Sequence, residues 1–113
     1  MITKEITLQG KTYPVVFTMK TIINFEEITE KTFFGDDLAK LTDRMAIIMA
    51  AVLAANEKAD LKIEDMQNLD WDGIKELLSA AAVVMDMSYD FFKIPRVMEK
   101  PQKPTEESNE KNA

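Results

Sequence analysis

Residues 68–73, Asn68-Leu69-Asp70-Trp71-Asp72-Gly73, place oxygen-bearing side chains at alternate positions ahead of a glycine, as the opening of a calcium loop does. The pattern then breaks. The twelfth position of such a loop needs a bidentate Glu and is Ser79, and the buried eighth position is Lys75. A helix start capped by an Asp accounts for the same residues. Glu26, Glu27 and Glu30 crowd a second stretch, with Glu26 and Glu30 at i, i+4. Paired carboxylates hold a metal or move protons only inside a shaped pocket, and Lys20 and Lys31 lie close by, so these read as a solvated acidic face. Ser79, Ser88, Tyr13, Tyr89 and Lys93 offer no nucleophile–base pair, because the chain has no His and no Cys. Nor is there a glycine-rich phosphate loop. These residues point away from an enzyme, and no cofactor or metal is expected.

Charge narrows the partners. Twenty acidic and fourteen basic residues in 113 give a net charge of −6, and no cluster of Lys and Arg could neutralise phosphates, which argues against nucleic acid. No span reaches the ~20 apolar residues that cross a bilayer, so no membrane is expected. The opening Met1-Ile2-Thr3-Lys4-Glu5 is polar and has no signal-peptide pattern, which leads us to expect a cytoplasmic protein.

The elements that must position any site form one domain, residues 1–94, expected to be α+β and mainly helical: an N-terminal β-hairpin packed on three to four helices. Ile2, Ile6 and Leu8 alternate with polar residues, and Tyr13, Val15 and Phe17 resume the alternation after Gln9-Gly10. A two-residue loop pairs Leu8 with Lys11 and Ile6 with Tyr13, whereas a four-residue loop pairs Leu8 with Tyr13. Both keep the six apolar residues on one face. Pro14 belongs on an open edge or at a bulge. Thr18 caps a helix over 19–30, whose apolar stripe is Met19, Ile22, Ile23, Phe25 and Ile28, with Lys20, Asn24, Glu27 and Glu30 facing water.

Met45 to Ala55 is apolar without a break and reads as the buried central helix, capped by Thr42 and stopped by Asn56 in a left-handed conformation. The spacing of Leu38, Leu41, Met45, Ile48 and Val52 allows an earlier start near Asp37 with a kink at Thr42, and Asp36 or Asp37 as cap. A short helical turn over 64–69 precedes a last helix from Asp70 or Asp72 to about Phe92. Its apolar set is Trp71, Ile74, Leu77, Leu78, Ala81, Val84, Met85 and Phe91. Gly73 in its first turn costs about 1 kcal/mol relative to Ala. Residues 95–113 are charged, contain three prolines and no aromatic, and are expected to be a disordered tail.

Two features exceed what a small core needs. Phe33 and Phe34 fall in a connection, where they either plug the core or anchor a partner. Eight Met residues either fill the core or line an adaptable binding surface. The binding reading combines Phe33 and Phe34 with Met49, Met85 and Met87, for a helical client or a second copy of the chain. Alanine at both phenylalanines is then expected to weaken client binding while leaving the melt nearly intact.

The start, Ile6-Thr7-Leu8-Gln9-Gly10-Lys11-Thr12-Tyr13-Pro14-Val15, then Phe17-Thr18-Met19-Lys20 and Ile23-Asn24-Phe25-Glu26-Glu27, resembles the short tail assembly chaperones of long-tailed bacteriophages and prophages. The Ala-rich middle helix, the acidic helix start at Leu69-Asp70-Trp71 and the charged tail are similar too. The resemblance spans residues 2–92 as a pattern. It implies a non-enzymatic protein that holds the long helical tape measure protein in the host cytoplasm while tail tube protein polymerises around it. It also implies absence from the finished particle and, in many members, a C-terminal extension made by frameshifting. The alternatives are a structural neck or tail component of the particle, and an acidic regulatory module that binds a basic protein.

Overall fold

The structure, a computed structural model, describes residues 2–93. Two antiparallel strands, β1 (Thr3–Leu8) and β2 (Lys11–Val16), are followed by α1 (Met19–Thr29), α2 (Leu41–Ala55), α3 (Ile63–Gln67) and α4 (Trp71–Phe92). The expected α+β, mainly helical architecture is the one observed. The expected tail, 95–113, lies outside the described residues.

The hairpin takes the two-residue register: Leu8 pairs with Lys11 and Ile6 with Tyr13. Gln9 and Gly10 both have positive φ (51° and 80°), the geometry whose twist matches paired strands. Counting back from the turn, Glu5 faces Pro14 at a site whose amides point away from the partner strand, so Pro14 forfeits no ladder bond. Ile6, Leu8, Val15 and Phe17 are buried, Tyr13 is half-buried and Ile2 is exposed.

Helix α2 is the axis of the fold. Every residue from Met45 to Val52 is buried, which needs cover on all sides. That cover comes from α1, β2, α4 and α3, while α4 also packs on β1. Its ends differ from expectation. The Asp36 and Asp37 carboxylates accept the amides of Leu38 and Ala39, two residues on, and Leu38 is left-handed (φ 55°). These local turns outcompete an earlier helix start, so α2 begins at Leu41 with Lys40, not Thr42, at the N-cap. Asn56 is extended rather than left-handed, and its Oδ1 accepts the Lys58 amide instead.

Helix α1 is rotated from its expected facing. Thr18 caps it as expected, accepting from the Lys20 amide. Thr21 and Asn24 are buried alongside Ile22 and Phe25, while Met19, Ile23 and Ile28 are exposed. Hydrogen bonds explain the rotation. Thr21 Oγ1 accepts from the Thr18 amide and donates to the Val16 carbonyl (2.9 Å), and Asn24 Nδ2 donates to the Ala50 carbonyl (3.1 Å). Satisfied in this way, two polar side chains can be buried where an apolar stripe was expected.

In α4 the Asp70 cap is as expected, its carboxylate accepting the Gly73 amide at 2.8 Å. Trp71 and Phe91, expected in its apolar set, are exposed, and Ala80 and Met87 are buried instead.

Candidate protein-binding face

All six phenylalanines of the chain form one connected cluster. Phe17 follows β2, Phe25 belongs to α1, Phe33 and Phe34 lie in the connection to α2, and Phe91 and Phe92 end α4. Phe33 is the hub, with ring centroids 5.9 Å from Phe17, 5.6 Å from Phe25, 5.5 Å from Phe34 and 6.3 Å from Phe92. Phe91 joins through Phe17 at 5.4 Å and Phe92 at 5.0 Å. Most pairs are tilted or edge-on, the arrangements that ring quadrupoles favour.

Exposure grades across the cluster. Phe25 and Phe17 are buried, Phe33 and Phe92 half-buried, Phe91 is 42% exposed and Phe34 is 62% exposed. The core thus runs outward into an aromatic surface. Beside it lies an open groove of roughly 300 Å³ lined by Ile2, Phe17, Thr18, Met87, Asp90 and Phe91.

The connection that carries Phe34 is held at several points. The Phe33 amide donates to Glu26 Oε2 (2.9 Å), and the Asp36 amide donates to the Phe33 carbonyl. Lys31 Nζ bridges Asp36 (2.8 Å) and Asp43 (2.7 Å), tying the connection to the first turn of α2. Arg44 Nε donates to the carbonyl of Leu38, whose side chain is buried. Asp43 is buried as well, and its negative charge suits the N-terminal end of the helix dipole. The hydrogen bond from Lys31 holds the Asp36 carboxyl below the usual carboxylate range, with the Leu38 amide adding to the effect. Hydrogen bonds to Asp36 and then to Asp43 raise Lys31 above its usual range.

Of the residues singled out in the sequence, Phe33 and Phe34 touch each other, with Phe33 inward and Phe34 outward. Met87 is buried on the wall of the groove and Met85 is half-buried on α4. Met49 is only 6% exposed within the all-round buried run of α2, so it belongs to the core rather than to a contact surface. Glu26 is half-buried and occupied by the Phe33 amide, unlike the freely solvated residue expected. Among the described residues, no three Asp or Glu gather into a group able to hold a metal ion, and no helix is long and apolar enough to cross a membrane.

Sequence reasoning missed the contributions of Ile2, Phe17 and Phe91 to this face. A signal existed in Phe91-Phe92: consecutive helical positions point about 100° apart, so a narrow core stripe does not readily take both rings.

Comparison with protein-family models, with curated proteins and with solved structures finds no match for this chain. The functional reading therefore rests on its own residues.

Proposed function

We propose that this protein is a non-enzymatic tail assembly chaperone of a long-tailed phage or prophage. In this reading it binds the tape measure protein while tail tube protein assembles around that client. The observation that carries the reading is the aromatic face: a cluster anchored in the core ends in Phe34 and Phe91 at the surface, next to an apolar groove. An exposed, pre-positioned apolar surface of this kind suits the apolar stripe of a client helix, read through anchors at i, i+3, i+4. Holding Phe34 in place beforehand lowers the ordering cost of binding. Few anchors at a partly open surface suit weak, reversible holding, as a chaperone that must release its client requires. The hairpin-to-helix pattern from Ile6 to Glu27 supports the family reading alongside it.

The test is capture with the tagged protein from bacterial cells producing tails, followed by mass spectrometry. The expected outcome is enrichment of one very long, helix-rich protein together with tail tube subunits, and absence of the chain from purified particles. Recovery of the chain within those particles would instead make it a structural component. A stoichiometric complex with a basic host protein would make it a regulator.

A further inference from the structure

The two edges of the hairpin are finished differently. Counting back from the Gln9-Gly10 turn, the amides and carbonyls of Thr3, Glu5 and Thr7 point away from β2, and the outward positions of β2 are Thr12, Pro14 and Val16. The β2 edge is blunted. Pro14 has no amide proton, and the Val16 carbonyl accepts from Thr21 Oγ1. The β1 edge has no such device at Glu5 and Thr7. Both are exposed, and among the described residues their backbone groups have no partner. That edge borders a second groove, of roughly 390 Å³, with Glu5, Ile6 and Thr7 on one wall and Glu76, Ser79 and Val83 of α4 on the other. β1 runs antiparallel to α4: the Gln9 amide donates to Glu76 Oε1 (2.9 Å), whereas Ile2 lies with Met87 and Phe91. Ser79 and Val83 therefore follow one another along the groove, about 6 Å apart on the helix, close to the ~6.6 Å between alternate residues of a strand.

We propose that the β1 edge takes an extended segment of a partner protein as a third strand, one that alternates small apolar residues with a lysine or arginine opposite Glu5. Its backbone pairs with the outward amides and carbonyls of Glu5 and Thr7. A side chain opposite Ile6 faces the same way as Ile6, onto Ser79 and Val83, and so is small and apolar. A side chain opposite Glu5 faces solvent with it. Glu5 lies across from Pro14 in the hairpin and forms no ion pair among the described residues, so a cation on the added strand supplies its charge partner. A second copy of the chain fits less well. Of the two antiparallel registers that overlap β1 most, one sets Glu5 against Glu5 and the other sets Lys4 against the buried Leu8. No phenylalanine lines this groove, and its occupant is independent of any client on the aromatic face.

The probe is a short blocked peptide of alternating valine and threonine with a lysine at one threonine position, beside a twin with glutamate there. With the full chain and millimolar lysine peptide, the amides of Glu5 and Thr7 are expected to exchange with solvent several-fold more slowly by NMR. The lysine peptide should bind about two- to five-fold more tightly than the glutamate one, and Glu5→Lys should remove that preference. Thr7→Pro deletes an outward donor without touching the ladder, as Pro14 does, and should weaken binding several-fold. Unchanged exchange at Glu5 and Thr7 overturns the proposal, as does a lysine preference that Glu5→Lys leaves unaltered. Protection of these amides that grows with protein concentration in the absence of peptide also overturns it, by making a second copy the occupant.

Discussion

Phe33 and Phe34 are neighbours in the chain with opposite duties. Phe33 meets four other phenylalanine rings and is half-buried, so Phe33→Ala should cost about 2–3 kcal/mol in chemical denaturation. Phe34 is 62% exposed and meets two rings, so Phe34→Ala should cost less than about 1 kcal/mol. The expectation that both could be removed with the melt nearly intact is therefore narrowed to Phe34 alone, with the two denaturation curves as its test. The same connection gives a pH dependence. Asp36 has a lowered folded-state pKa, so its contribution is full above the usual carboxylate range and is lost as pH falls through the lowered value. Lys31 has a raised one, so its contribution is full below the usual lysine range and is lost as pH rises through the raised value. Between these limits the bridge is fully formed. Melts of the wild type and of Lys31→Met across pH should therefore differ by a constant amount near neutrality and converge at both extremes.

At the scale of elements, two glycines act in opposite senses. Gly10 with Gln9 forms a turn with positive φ at both positions, a conformation Asn adopts more readily than Gln. Gln9→Asn should therefore raise stability by a few tenths of a kcal/mol, and the Gln9 amide bond to Glu76 is a backbone feature that survives the change. Gly73 lies in the first turn of α4, where propensity alone predicts that Ala gains about 1 kcal/mol. A Cβ there would sit 2.8 Å from Leu69 Cδ2 and 2.9 Å from Leu69 Cβ, closer than such atoms approach. Gly73→Ala should accordingly lower stability by about 1–2 kcal/mol, read from the denaturation midpoint. Contacts of this kind mark the limit of sequence reasoning. Alternation, an unbroken apolar run and an Asp cap made the hairpin, α2 and α4 legible. The facing of α1 was not, because the Asn24 bond to Ala50 joins residues 26 apart and leaves no periodic trace. The start of α2 was missed because Asp36 and Asp37 turn the local backbone on themselves instead of capping a helix.

For the whole molecule, these parts combine into one arrangement. A helix buried on all sides fixes α1, the hairpin and α4 around it, and their ends bring all six phenylalanines together. Phe33, Phe34, Met85 and Met87 were legible as apolar residues beyond a minimal core. Their division between core and surface was not, since burial is decided by contacts between segments more than fifty residues apart, such as Phe33 with Phe92. The most direct test of the binding account compares wild type and Phe34→Ala as bait in capture from tail-producing cells, with a thermal melt of each. The account predicts a several-fold loss of the long helical client while the melting temperature moves by only a few degrees. Undiminished capture by a Phe34→Ala chain with the same melt would contradict it.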